Sequence, residues 1–135
     1  MERKEPYATE EEYNKRVIHE RDVPALRLFP DINVETHLIS AERLTVIFNS
    51  WTPNVQVPVH KHESEQILIM ADGTCDFIIE GKLYHLEKGD IVILPSNIEH
   101  GAYASDKSMQ TTEIFSPPRY DYLEKLEAVK KGLRK

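Results

Sequence analysis

The chain has 135 residues and a mass of 15.7 kDa, enough for one compact domain to bury a core without disulfide staples. Lys plus Arg number 17 against 23 Asp plus Glu, a formal net charge of -6, which sets the surface against a phosphate backbone and argues against nucleic acid as a partner. The only cysteine, Cys75, lies in an apolar run and reads as a small buried hydrophobe, and no stretch approaches the ~20 apolar residues of a bilayer span. No apolar signal segment follows the charged start, so a cytoplasmic protein without a membrane partner is expected.

In chain order, the first 22 residues are charged, with Glu10-Glu11-Glu12 followed by Lys15-Arg16. Thr9 and Glu12 have the spacing of a capping box ahead of Tyr13 and Val17, which predicts a short, partly exposed helix. From residue 26 to 115 the chain changes to short β-branched and aromatic runs broken by Gly, Pro, Asn and Asp. Strands are predicted over 44–51, 55–62, 66–70, 74–80, 82–87, 91–94, 101–104 and 109–115. Many short strands with no helical period between them imply an all-β antiparallel sandwich or barrel. Pro117-Pro118 closes the last strand. Leu123, Leu126, Val129 and Leu133 then recur at helical spacing, so an amphipathic C-terminal α-helix is expected over about 119–134, with Lys130, Lys131, Arg134 and Lys135 suiting its dipole. The whole of 1–135 reads as one domain with a barrel core at about 44–118. Segments 67–70 and 91–94 are apolar on both faces, which calls for a covering element: a second sheet, the terminal helix or another subunit. A homodimer is the expected assembly.

Two segments carry chemistry. In Val59-His60-Lys61-His62 the two-residue period of a strand puts both imidazoles on one face, close enough to share an ion. In Gly89-Asp90, followed by four apolar residues and Pro95-Ser96-Asn97, a turn, a strand and a second turn deliver His100 at a strand end. Jointly these histidines point to a metal; His19, His37 and His85 lack such company and read as non-ligands. Phe48 and Trp51 read as core.

These residues resemble the cupin superfamily, whose motifs run G-x5-H-x-H-x3-E-x6-G and G-x5-P-x-G-x2-H-x3-N. His60, His62, residue 66, Gly73, Gly89, Pro95 and His100 match without a gap, and fifteen residues, 74–88, separate the motifs. Asn54 and Asn97 replace two glycines, a swap that left-handed backbone tolerates in Asn. The resemblance implies a jelly-roll barrel with an N-terminal arm and one divalent metal ion held by His60, His62, Gln66 and His100. Gln66 stands where cupins usually carry Glu, and three imidazoles with a neutral amide leave the ion its full charge, which favours Lewis-acid work on an anion over oxygen chemistry. A register shift would offer Glu65 instead. His and Gln suit Zn, Ni, Mn or Fe.

The segment Glu113-Ile114-Phe115-Ser116-Pro117-Pro118-Arg119, with H-x-H-x-x-E-Q at 60–66, is similar to small cupins of the pectin-degradation KdgF family. That resemblance implies ring opening or isomerisation of 4,5-unsaturated uronates, with Glu113 as the catalytic proton carrier, Phe115 shaping the pocket and Arg119 binding the carboxylate of a small anionic sugar acid. Read from pattern alone, Glu113 and Phe115 share a strand face that points either into the barrel or to solvent. Arg119 either clamps a substrate or bonds Asp121 or Glu124. An iron or nickel dioxygenase and a non-catalytic small-molecule-binding cupin are the competing expectations.

Overall fold

A computed structural model describes residues 2–133. The capping box forms as read: Thr9 Oγ1 accepts from the Glu12 amide and the Glu12 carboxylate accepts from the Thr9 amide, opening α1, Glu10–Arg16. None of its residues is buried, so this helix stands on its caps and first-turn carboxylates rather than on packing. A 3-10 turn, Glu20–Asp22, leads into the barrel.

Nine strands follow. They are β1 (Val34–Ser40), β2 (Thr45–Trp51), β3 (Gln56–His60), β4 (Glu65–Asp72), β5 (Cys75–Ile79), β6 (Lys82–Leu86), β7 (Ile91–Leu94), β8 (His100–Ala104) and β9 (Met109–Ser116). All pair antiparallel in two sheets, ordered β1-β2-β9-β4-β7 and β3-β8-β5-β6, the two layers of a jelly roll. Helix α2, Tyr120–Leu133, follows the double proline. Eight strands match the sequence reading within a few residues. β1 is the addition: Val34, Thr36 and Leu38 point inward.

Val34, Trp51, Leu68, Met70, Phe77, Leu94 and Met109 fill the space between the sheets. A second cluster, Leu26, Leu28, Leu38, Ile47, Phe115, Tyr122 and Leu126, closes one end under α2. Burying residues of this size contributes about 1.5–3 kcal/mol each before the entropy cost of ordering them. In the predicted helical stripe Leu126 is buried and Leu123 and Val129 half-buried; the side chain of Leu133 and residues 134–135 lie outside the described residues. Cys75 is buried beside Met70, and desolvation pushes its thiol up to about 12, which keeps it inert.

Among the described residues nothing covers the outer face of 91–94. Ile91 and Ile93 are 62% and 66% exposed on the outer face of β7, because the second sheet and α2 both pack on the inner side or the barrel end. Asn54 and Asn97 adopt φ of 64° and 63°, the left-handed backbone expected where they replace glycine. At Gly73, φ is 84° and a Cβ would stand 2.6 Å from Met109 Cβ, so this turn admits no side chain. Among the described residues no helix is long and apolar enough to cross a membrane.

Candidate metal centre

His60 ends β3 and sits directly across from His100, which begins β8. β3 stops at His60 rather than continuing to 62 as the alternation predicts. Pro58 has no N–H to give the ladder, and the pairing with β8 shifts register between Val57 and His60. His62 nonetheless folds back beside the other two, with ring centroids 5.9 Å from His60 and 4.9 Å from His100; His60 and His100 are 4.4 Å apart. The three offer ligand nitrogens that all lie within 4.8 Å of one another.

Each ring is oriented the same way. His60 Nδ1 donates to Pro58 O at 2.8 Å, His62 Nδ1 to Ser64 O at 2.8 Å and His100 Nδ1 to Ile98 O at 2.9 Å. A neutral imidazole with its proton on Nδ1 keeps a lone pair on Nε2, which is the tautomer a metal requires. Ser64 is itself pinned, donating through Oγ to Pro117 O at 2.7 Å. Phe77 stacks on His100 and Phe115 meets His62 edge-on at 5.6 Å, so aromatic walls from both sheets fix the rings.

Gln66, 3% exposed, points inward, whereas Glu65 faces solvent, so the register shift that would offer Glu65 is not adopted. Gln66 Oε1 lies 2.9 Å from His62 Nε2. With the His62 proton on Nδ1 these are two acceptors facing each other, an arrangement that calls for a cation beside them. His100 Nε2 is buried with no hydrogen-bond partner among the described residues. Desolvation lowers the pKa of both His62 and His100, that of His100 to about 4, with Arg119 and the neighbouring rings adding to it, so protonating them is no remedy. The donor set therefore fits one divalent ion held by His60, His62, His100 and Gln66.

Behind Gln66, Glu113 is 7% exposed and points into the barrel, while Ile114 takes the outer face. Its carboxylate accepts from Gln66 Nε2 at 2.7 Å, Asn49 Nδ2 at 2.7 Å and Thr111 Oγ1 at 2.8 Å. Burial pushes its pKa up and the three donors oppose that shift. Asn49, Thr36 and Thr111 were not among the site residues read from sequence. Their signal was polar residues on the inward parity of strands otherwise apolar there: Asn49 between Ile47 and Trp51, Thr111 between Met109 and Glu113.

Glu113 and His60 also line a small open cleft whose walls include Leu28, Phe29, Val34, Asn49, Trp51 and Val57. Phe115 and Arg119 do not line it. Phe115, 2% exposed, packs beneath His62 and Tyr122. Arg119 stacks on Tyr122 at 3.8 Å and Phe115 at 5.1 Å and grips Asp121 with two hydrogen bonds, of 3.1 and 2.9 Å. Of its nitrogens, Nη1 is buried and unpartnered among the described residues.

A family profile described as Cupin domain matches residues 50–115, the stretch that carries all four candidate ligands. Residues 50–115 form a cupin domain, and the chain is similar to KdgF. It is 34% identical over 65 residues to the pectin degradation protein KdgF of Dickeya dadantii (strain 3937), covering 47% of this chain and 59% of that one. It is 31% identical over 127 residues to the H2HPP isomerase of Bacillus subtilis, covering 92% of this chain and 51% of that one. The chain thus spans about half to three-fifths of the length of these curated relatives. The structure of KdgF from a Halomonas species superposes with a TM-score of 0.70 at 22% identity, covering 77% of this chain and 94% of the other, a likeness of fold.

Proposed function

We propose that this cupin is a metal-dependent enzyme that isomerises or ring-opens a small carboxylic acid, with a 4,5-unsaturated uronate as the first candidate substrate. The observation that carries the reading is the convergence of imidazole lone pairs and an amide carbonyl next to a buried carboxylate, with His60 and Glu113 lining a cleft. A divalent Zn, Ni, Mn or Fe ion held by His60, His62, Gln66 and His100 supplies Lewis acidity toward a substrate oxygen. The KdgF and isomerase names of the two curated relatives support the choice of reaction class.

The chain's own residues supply the rest. Glu113 lines the cleft, and burial makes its carboxylate a stronger base than an exposed Glu, suited to taking a proton from a carbon or hydroxyl beside the metal. Arg119 lies behind His62 with one nitrogen free of Asp121, and its charge favours an anionic substrate whether it touches the carboxylate or acts through the field.

The test is a spectroscopic assay of metal-loaded protein on unsaturated uronates. Wild type is expected to consume them, and Glu113→Gln, compared at equal metal occupancy, to lower kcat by about 10²-fold or more. Arg119→Leu is expected to raise KM more than it lowers kcat, as loss of binding shared by ground and transition states does. Wild-type protein that holds its metal and leaves uronates unchanged sinks the uronate reading.

A further inference from the structure

Around Gln66 the direction of each hydrogen bond can be traced from a residue with only one option. Trp51 Nε1 can only donate, and it donates to Thr111 Oγ1 at 3.0 Å, so the Thr111 hydroxyl proton goes to Glu113 Oε2. Thr36 Oγ1 donates to Asn49 Oδ1 at 2.6 Å, which turns the Asn49 NH2 toward the same oxygen. Glu113 is thus surrounded by donors, and the third of them is Gln66 Nε2 on Oε1. With its NH2 committed to Glu113, Gln66 presents its carbonyl oxygen to the histidines. A reversed amide would set oxygen against oxygen at Glu113 and aim N–H groups where the Nε2 lone pairs gather, repelling a cation.

We propose that Glu113 is a positioning residue for the metal: its carboxylate holds Gln66 carbonyl-first toward the ion and supplies, one side chain behind the ligand, the negative charge that position 66 itself lacks. The diagonal placement of the two residues makes this possible, since Gln66 pairs with Phe115 and Leu68 with Glu113, leaving Gln66 and Glu113 neighbours on the inner face. The Gln66–Glu113 pair then carries the same single charge as a direct glutamate ligand, displaced outward. Thr36, Asn49, Thr111 and Trp51 keep the pair in that polarity. This inference rests on the metal reading and is independent of the substrate.

Cobalt(II) affinity, measured by chelator competition and read together with the visible absorption of the bound ion, tests it without turnover. In Glu113→Gln the new amide can donate to Gln66 and turn its carbonyl away, so cobalt binding is expected to weaken by about 10–100-fold with a changed visible spectrum. The exchange Gln66→Glu with Glu113→Gln returns the charge to position 66 and is expected to restore affinity to within about threefold of wild type. A Glu113→Gln protein that binds cobalt with wild-type affinity and spectrum overturns the proposal while leaving the metal reading intact. A wild-type chain that takes up no cobalt overturns both. Should circular dichroism show Glu113→Gln unfolded, the exchanged pair decides alone: folded and cobalt-binding supports the proposal, folded without cobalt overturns it.

Discussion

The histidine trio inside the barrel and His85 on the outer hairpin are made of one side-chain type and end in opposite states. In the trio, every Nδ1 donates to the backbone carbonyl two residues away, and burial disfavours the imidazolium of His62 and His100. His85 on β6 instead puts Nδ1 2.9 Å from Asp76 on β5 and has Glu87 3.7 Å from Nε2, in full solvent, and these carboxylates raise its pKa. With a carboxylate beside each ring nitrogen, His85 is stabilised as the charged ring and offers an ion no free lone pair, whereas a carbonyl on Nδ1 alone orients the neutral ring and leaves Nε2 free. The contrast shows why counting histidines near acids is a poor guide to ligands.

The largest effect that separates the two regions is metal content. Purified wild type is expected to hold close to one divalent ion per chain, and His62→Ala or His100→Ala to lose most of it, while His85→Ala retains it. Elemental analysis checks this, and full occupancy in both barrel mutants breaks the comparison. A smaller effect is the pH dependence of the metal-free protein. His100 protonates near 6.5 when unfolded but only near 4 when folded, so below 6.5 the unfolded chain binds the extra proton and stability falls as pH drops toward 4. The contribution is at most about 3 kcal/mol, read as a decline in thermal midpoint that His100→Ala flattens. The smallest effect sharpens the outer site: Asp76→Asn should return His85 toward an ordinary imidazole titration by NMR with no change in metal content. A His85 that titrates below His100 in the same spectra would reverse the assignment of the two environments.

The barrel's legibility in sequence came from turns and alternation, both local. Asn54, Gly73, Gly89 and Asn97 sit at positive φ because each turn demands it, and a spacing of turn residues can be read without knowing what packs where. The four metal-binding candidates were legible for the same reason, as fixed offsets from those turns. β1 was harder, because inward Thr36 belongs to a polar network whose other members lie on β2 and β9. Arg119 shows the limit from the other side: its spacing from Glu113 was visible, but its grip on Asp121 depends on how α2 leaves the double proline.

Sequence alone therefore determined the all-β class, eight of the nine strands, the cupin motifs and the grouping of His60, His62, Gln66 and His100, because period-two alternation and turn chemistry act over a few residues. Tertiary structure decided which way the chemistry faces. Glu113 lies inside rather than in solvent only because Gln66, Asn49 and Thr111, brought from β4, β2 and β9 itself, offer it three donors that replace water. Burying a carboxylate is costly unless such partners meet it, and no local pattern in Met109–Ser116 records that residues 47 and 64 positions away in the chain will deliver them.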